Sequence, residues 1–214
     1  MSDDMKLAVG WPLTDDWLHA AFVASWSAMN KVDYEFLLPK VTTRPIDVVR
    51  NDIVEQALQR GCTHLLWMDT DQVYPPDTLT KLLSHNLDMC GVLVHRRYPP
   101  FDPILYRGSL GKYKHVPYEE CYSKKLLEVD ATGMGCALIN LRCMVDVPPP
   151  WYLITKTEDG RNVGEDIYFC SQVKQSGYRI WVDTSIEVDH LTTYRVNKQT
   201  AQLYRKMKNF EWTT

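Results

Sequence analysis

Short apolar runs alternate with amphipathic helical segments through the first half of the chain. The apolar runs are residues 6–11, 33–39, 64–68 and 89–97, and the helical segments between them are residues 15–29, 44–61 and 76–86. The runs are nearly continuous in apolar residues, as strands buried on both faces are. Strands that alternate with helices predict an α/β fold with a mostly parallel sheet covered by helices.

Local signals predict where these helices begin and end. Thr14 or Asp15 is expected to cap the first helix, because short polar side chains bind free N–H groups there. Pro45 stands near the start of the second helix and Gly61 follows its end, which is the usual placement of these residues.

The second half of the chain is less regular. Residues 103–139 predict short strands and loops, and residues 164–177 predict a helix that is acidic at its start. Residues 178–191 predict a strand, and residues 196–210 a basic amphipathic helix. No repeat or linker divides these segments, so residues 1–214 are predicted to form a single domain.

Composition narrows the classes of protein to consider. The formal net charge of −3 gives no overall electrostatic reason to bind nucleic acid or an acidic membrane. The N-terminus has no signal-peptide pattern, and no run approaches the roughly 18 apolar residues of a membrane span. The six cysteines are scattered without CxxC spacing, which indicates reduced, buried thiols in a cytoplasmic protein rather than a zinc site.

Two aspartates directly follow the apolar run of residues 64–68. Asp69 and Asp71 are two residues apart, so both side chains point to the same side of an extended segment. Ligands of open α/β sheets bind beyond the carboxyl ends of the strands, and carboxylate pairs there suit Mg²⁺ or Mn²⁺. The alternative is a polar loop whose aspartates cap the next helix.

A strand-end aspartate pair also occurs in other enzyme classes. In a haloacid-dehalogenase-type phosphatase Asp69 would be the nucleophile and Asp71 the acid/base, but two β–α units precede the pair here. That class also expects a later acidic motif, and residues 164–169 lack an Asp at the required offset. A nucleotidyltransferase would need an N-terminal glycine-rich loop, and residues 9–16 contain a single glycine. A non-catalytic sugar- or nucleotide-binding module is a further alternative.

Four segments, in this order, resemble the GT-A-fold glycosyltransferases of the family 2 type. They are residues 48–83, 131–139, 164–183 and 188–190. The resemblance implies a GT-A fold: a Rossmann-like nucleotide-binding half over about residues 1–95, an irregular acceptor and metal half over about 96–195, and a C-terminal basic helix over 196–214. It implies a metal-dependent transferase that moves a sugar from a UDP- or GDP-type donor to an unknown acceptor hydroxyl.

The resemblance also implies roles for the acidic residues and one histidine. Asp71 would ligate Mn²⁺ or Mg²⁺, Asp69 would ligate it through water or bind the ribose, and His190 would be a third ligand. Asp166, preceded by Glu165, would take the proton of the acceptor hydroxyl in an inverting reaction. The alternative for this acidic pair is a favourable interaction with the helix dipole.

Further residues are expected to contact the substrates. The predicted donor contacts are Trp11, Pro12, Arg50, Asn51, Asp69, Thr70 and Gly133, and the predicted acceptor contacts are Arg96, Arg97, Tyr98 and Trp151. A guanidinium can fork onto phosphate oxygens, although Arg50 could equally form a surface ion pair with Asp47 or Glu55. Gly133 and Gly135 are expected inside a strand, where glycine indicates a close approach or a bulge.

Basic residues crowd the C-terminal segment. They are Arg195, Lys198, Arg205, Lys206 and Lys208. This pattern leaves open a glycan, a small molecule or a modified nucleic acid as the acceptor. The alternative is an ordinary solvated surface.

Overall fold

The computed structural model describes residues 5–123, 125–193 and 196–208. The helices are α1 (Ala20–Ala28), α2 (Ile46–Gln59), α3 (Thr78–His85), α4 (Tyr118–Cys121), α5 (Arg142–Asp146), α6 (Glu165–Gln175) and α7 (Lys198–Lys208). The strands are β1 (Leu7–Gly10), β2 (Tyr34–Leu37), β3 (His64–Met68), β4 (Gln72–Val73), β5 (Met89–Leu93), β6 (Leu105–Arg107), β7 (Lys114–His115), β8 (Leu126–Val129), β9 (Ala131–Thr132), β10 (Cys136–Asn140), β11 (Thr155–Lys156), β12 (Asn162–Val163), β13 (Ile180–Glu187) and β14 (Asp189–His190).

A seven-stranded central sheet organises the fold. Its strand order is β2-β1-β3-β10-β5-β13-β8. Strands β2, β1 and β3 are parallel, and β5 and β13 are parallel to each other, whereas β10 and β8 run antiparallel to their neighbours. The predicted α/β class with a mainly parallel sheet is confirmed.

Helices cover both faces of this sheet, and a hydrophobic core lies on each side. One core joins Ile53 of α2 and Phe169 of α6 to Trp67. The other joins Phe22 of α1 and Leu79 of α3 to Leu66 and Met68. The alternating directions of successive side chains in β3 supply both cores, which explains why this strand is apolar almost throughout.

Helix α1 is shorter than the sequence predicted. The predicted segment began at residue 15 behind a Thr14 or Asp15 cap, but the helix begins at Ala20 after His19. The N-cap residue is His19, with no side-chain cap, and the side chain of Asp16 accepts a hydrogen bond from the Thr42 hydroxyl at 2.6 Å. Residues 12–19 are therefore a loop beyond the carboxyl end of β1.

The two glycines of residues 131–139 lie between strands and not inside one. Gly133 and Gly135 fall in the segment that joins β9 to β10. A Cβ atom on Gly135 would lie 2.1 Å from the Gln72 side-chain nitrogen, so any other residue there would displace the buried Gln72 amide. The close approach expected of glycine is present, and its partner is a side chain of the protein.

The C-terminal segment is helical from Lys198 to Lys208, within the predicted range of 196–210. Arg195 and residues 209–214 lie outside the described residues. In the described part of the chain, no helix is both long enough and apolar enough to span a bilayer. All six cysteines are buried and free, as predicted. The single-domain assignment and the cytoplasmic location stay predictions.

Candidate active site

The tip of β3 carries the paired aspartates and is held rigidly by backbone contacts. The amide N–H of Asp69 donates to the carbonyl oxygen of Gly135 at 2.7 Å. The Tyr74 hydroxyl lies 2.7 Å from the Asp69 carbonyl oxygen and 3.0 Å from that of Gly135. The segment between β9 and β10 therefore fixes the direction in which the aspartates leave the sheet.

A buried arginine connects this strand tip to the start of helix α6. Arg50 of α2 donates from Nη2 to Asp69 Oδ1 at 2.9 Å and from Nε to Glu165 Oε1 at 3.2 Å. Arg50 is only 2% exposed, and its guanidinium lies 5.1 Å from the centre of the Trp67 ring. Of the two alternatives for Arg50, the structure excludes an ion pair at the surface.

Burial and the charge of Arg50 shift the pKa of Asp69 in opposite directions. Desolvation raises the pKa of Asp69, the guanidinium of Arg50 opposes this, and the nearby charges of Asp71 and Glu165 raise the pKa further. Arg50 thus offsets the charges of Asp69 and Glu165, while the neighbouring Asp71 adds repulsion at the tip of β3.

Asp71 contacts Arg97 and His190, whereas Asp69 contacts Arg50. Its Oδ2 atom lies 2.8 Å from Arg97 Nη1 and 3.4 Å from His190 Nε2. Burial would raise the pKa of Asp71, but hydrogen bonding and the charges of His190 and Arg97 lower it below its usual value. Asp71 is accordingly an ionised carboxylate.

His190 is oriented by a second contact. Its Nδ1 atom lies 2.7 Å from the carbonyl oxygen of His95, which can only accept, so Nδ1 carries a proton and Nε2 faces Asp71. A backbone carbonyl that fixes the other ring nitrogen is the usual support of a metal-ligating histidine. The resemblance predicted His190 at this site, and the antiparallel pairing of β14 with β4 brings its ring beside Asp71.

The predicted metal trio is assembled only in part. Among the residues of 5–123, 125–193 and 196–208, no group of three His, Cys, Asp or Glu side chains is arranged to hold a metal. Asp69 directs Oδ1 to Arg50, whereas Asp71 and His190 are adjacent. The carboxylate of Asp71 suits Mn²⁺ or Mg²⁺ when phosphate oxygens and water complete the ligands, whereas an imidazole is a less favoured ligand of these oxygen-preferring ions.

The second acidic residue of α6 has an unusual environment. Asp166 Oδ1 accepts a hydrogen bond from the Ile167 amide at 2.7 Å. Burial, supported by the charge of Glu165, raises the pKa of Asp166 to about 7. A Cβ atom on Gly133 would lie 3.7 Å from Asp166 Oδ2, so the predicted donor residue Gly133 is beside the predicted base. A carboxyl group with this pKa can exchange a proton near neutral pH.

Part of this site borders a cavity of about 390 Å³ beyond the carboxyl ends of the strands, but Asp166, His190 and Gly133 are not among the residues that line it. The predicted site residues that line it are Pro12, Arg50, Asp69, Thr70, Asp71, Arg97 and Glu165. The loop of residues 12–19 forms another wall, with Thr14, Asp15 and Trp17 among its lining residues. Sequence reasoning missed this wall because it assigned the loop to helix α1, although its position after the first strand could have indicated it.

Two predicted donor contacts have structural partners instead. The Asn51 amide group donates to the carbonyl oxygens of Asp47 and Tyr152 and accepts from the Trp151 and Tyr152 amides. Trp11 is 9% exposed and packs edge-on against Phe22. The structure thus places Asn51 and Trp11 behind the cavity wall.

The predicted acceptor contacts are dispersed. Trp151 lies in the core, where its indole N–H donates to the carbonyl oxygens of Met144 and Val147. Tyr98 is exposed, Arg97 lines the aspartate cavity, and Arg96 binds the Tyr106 hydroxyl at 2.6 Å. The structure therefore brings Arg97 to the aspartates and separates Trp151 from them.

Comparison with known proteins identifies the fold. No protein-family profile and no curated sequence matches the chain. The A197 protein from STIV superposes with a TM-score of 0.62 over 88% of this chain and 86% of its own, at 16% identity. GalNAc-T7, crystallised with UDP, GalNAc and Mn²⁺, gives a TM-score of 0.57 at 11% identity, over 97% of this chain and 49% of its own. The fold is similar to that of GT-A glycosyltransferases. The chain spans about half of GalNAc-T7, and at these identities the likeness concerns the fold alone.

Proposed function

We propose that this chain is a metal-dependent glycosyltransferase that moves a sugar from a nucleoside diphosphate sugar to an acceptor hydroxyl. The observation that carries the proposal is the buried bridge from Asp69 through Arg50 to Glu165. This bridge unites the strand tip that would bind the diphosphate with the helix that would supply the base. The bridge buries the Arg50 guanidinium between two carboxylates, and burial of these charges costs desolvation energy. A surface loop without a function would not be expected to contain such a bridge.

The donor side of the site is assigned to Asp71, His190 and Arg97. Asp71 and His190 would hold Mn²⁺ or Mg²⁺, which supplies charge stabilisation to the departing diphosphate when it is bound. Arg97 is 44% exposed at its side chain and can turn from Asp71 to a phosphate oxygen. Asp69, kept in place by Arg50, is assigned to the ribose or to a water of the metal.

Asp166 is assigned as the general base of an inverting reaction. With its pKa raised to about 7, its carboxylate binds a proton more tightly than an exposed carboxylate does and can take the proton of the acceptor hydroxyl as that oxygen attacks the anomeric carbon. Glu165 accepts a hydrogen bond from Arg50, which positions the start of α6. Its negative charge helps to raise the pKa of Asp166. The donor is assigned to the UDP or GDP type, and the crystallisation of GalNAc-T7 with UDP, GalNAc and Mn²⁺ supports this class.

A thermal-shift panel tests the proposal. Nucleotides and nucleotide-sugars are added with Mn²⁺ or with a chelator, and one nucleoside diphosphate is expected to raise the Tm only with the metal. Asp71→Ala should remove this rise because it deletes the proposed carboxylate ligand. Asp189→Ala, which removes an exposed carboxylate next to His190 in strand β14, is the matched control and should keep it.

Other outcomes would assign the site to other classes of protein. Equal stabilisation in the chelator would indicate a binding module and contradict the proposed metal. Hydrolysis of simple phosphate esters that Asp69→Asn abolishes would indicate a phosphatase with Asp69 as its nucleophile. Formation of a glycoside that survives in Asp166→Asn at the wild-type rate would remove Asp166 from the role of base.

A further inference from the structure

A second cavity adjoins the aspartate cavity on the far side of Asp166. Its volume is about 280 Å³, close to the lower limit for sites that bind small molecules. Its lining residues include Arg96, Tyr106, Tyr113, Arg161, Gly164 and Ile167. None of the residues that line it in the described chain is an aspartate or a glutamate.

Two pairs of sequence neighbours place the cavities near each other. Arg97 lines the aspartate cavity, whereas Arg96 lines the second one. Glu165 lines the aspartate cavity, whereas Gly164, next to it in sequence, lines the second one. Asp166 lines neither cavity, but it stands between Gly164 and Ile167, which both line the second one, and its Oδ1 atom would be 2.8 Å from a Cβ atom on Gly164. A group bound in the second cavity would thus lie against the first turn of α6, which carries the proposed base.

The two arginines of the second cavity keep hydrogen-bond donors for an anion. Arg96 forms no ion pair with a described residue, and its side chain donates to the Tyr106 hydroxyl at 2.6 Å. Arg161 pairs with Asp159 at 2.8 Å and donates from Nη2 to the Gly111 carbonyl oxygen at 2.5 Å. A guanidinium has five N–H donors, so both arginines keep donors for a phosphate or carboxylate.

Aromatic rings provide the other kind of contact. The Tyr106 and Tyr113 rings both line the cavity, with centroids 6.1 Å apart. Tyrosine rings offer an apolar face to the C–H groups of a sugar and a hydroxyl at the edge. Cationic and aromatic walls together fit a ring compound that carries negative charge.

We propose that the second cavity binds the acceptor and that the acceptor is an anionic saccharide. Its phosphate or carboxylate would bind Arg96 and Arg161, its ring would lie against the tyrosines, and a hydroxyl would face Asp166. This inference rests on the proposed function. In the transfer, the acceptor oxygen forms a bond to the anomeric carbon and gives its proton to the Asp166 carboxylate. The bond from that carbon to the diphosphate oxygen breaks, and its electron pair leaves with the diphosphate.

Isothermal titration of the full chain tests the cavity without relying on turnover. The probes are glucose 6-phosphate for the phosphate source, glucuronate for the carboxylate source, glucose as the neutral analogue and inorganic phosphate as the bare anion. At least one of the two anionic sugars should bind more tightly than both glucose and phosphate. Arg96→Gln and Arg161→Gln should each weaken that binding by roughly tenfold, the effect of one charge-assisted hydrogen bond.

Arg179→Gln is the matched control for Arg161. The side chains of Arg161 and Arg179 are about equally exposed, at 63% and 62%, and each pairs with a carboxylate. Arg179 does not line the cavity and pairs with Glu128 of the edge strand β8. The control should bind the anionic sugar as the wild type does. Equal binding of glucose, equal binding of phosphate, unchanged affinity in both cavity variants or an equal loss in Arg179→Gln would each overturn the inference.

The result separates this inference from the proposed function. If a nucleoside diphosphate binds with metal but no anionic sugar binds, the acceptor inference fails alone. If an anionic sugar binds through Arg96 and Arg161 while no nucleotide binds with metal, the transferase proposal fails and the assignment of the cavity as an acceptor site fails with it.

Discussion

Arg50 shows how a single buried charge can organise a site. Its side chain is almost fully removed from solvent and lies between the carboxylates of Asp69 and Glu165. The attraction of two carboxylates offsets the cost of removing the guanidinium from water. Removal of the arginine alone would leave two partly buried carboxylates facing each other without a partner.

Replacement of Arg50 should therefore destabilise the fold. Arg50→Ala is expected to lower the free energy of unfolding by about 3–5 kcal/mol, the usual cost of breaking a buried ion pair from one side. Urea denaturation followed by circular dichroism measures this change. Arg60→Ala removes an arginine that directly follows the same helix and pairs with the exposed Glu35, and it should change stability much less. Equal losses in both variants would contradict the structural role of Arg50.

Asp166 should make stability depend on pH in an unusual direction. Its pKa is raised from 3.8 to about 7 by burial and by Glu165, so the folded state keeps a proton that the unfolded state releases. Between about pH 4 and 7 the folded state therefore binds more protons, and this contribution to stability falls as the pH rises.

Asp166→Asn should remove this contribution. Its Tm relative to that of the wild type is expected to increase as the pH is raised from 5 to 8, because only the wild type must ionise a buried carboxyl group. Differential scanning calorimetry across this range measures the effect. The exposed Asp33→Asn variant serves as control and should follow the wild type. A constant difference between Asp166→Asn and wild type would refute the raised pKa.

At the level of elements, the end of β1 is packed unusually closely. A Cβ atom on Gly10 would lie 2.8 Å from Cγ2 of Ile53 and 3.0 Å from the Trp67 ring. Helix α2 and strand β3 thus both require glycine at the last position of β1. Gly91 in β5 differs, because the nearest atoms to its Cβ position are 3.5 Å away or more.

The two glycines should therefore respond differently to the same substitution. Gly10→Ala is expected to lower the free energy of unfolding by about 1–3 kcal/mol, as overpacking of a core does. Gly91→Ala should be close to neutral, since alanine fits there and loses less backbone entropy on folding than glycine. Urea titration of both variants measures the contrast. Similar losses would mean that β1 and α2 are not in close contact.

Elements differed in how well local patterns predicted them. Helix α2 was predicted over residues 44–61 and found at Ile46–Gln59, because its apolar stripe and its end signals agree. Helix α1 begins five residues later than predicted, at Ala20, because the preceding polar and aromatic residues serve a loop. Apolar spacing alone does not distinguish a helix from a loop that packs its aromatic residues locally.

The whole molecule should protect its thiols. All six cysteines are free and buried, and burial raises the pKa values of Cys90 and Cys143 to about 12, which keeps these groups as unreactive thiols. A thiol reagent at neutral pH is expected to label the cysteines of the folded chain slowly. After denaturation the same reagent should label all six cysteines. Rapid labelling of several cysteines in the folded protein would contradict the packing of both cores.

The candidate site was predicted in part. Pro12, Arg50, Asp69, Thr70, Asp71, Arg97 and Glu165 line one cavity, although Arg97 was predicted to contact the acceptor, and Asp166, His190 and Gly133 do not line it. Trp11, Asn51 and Trp151 are packed away from it, since an aromatic or amide group in the sequence gives no sign of which neighbours will occupy it. The metal, donor and acceptor roles themselves stay predictions until ligands are tested.

The sequence by itself determined the alternation of strands and helices and the position of Asp69 and Asp71 at a strand tip. These features depend on residues within a few positions of each other, whose spacing sets which side chains share a face. Only the tertiary structure decided that Arg50 joins Asp69 to Glu165, a residue 115 positions away, and that a cationic cavity lies behind Asp166. Such contacts depend on how all elements pack together, so no local pattern contains them.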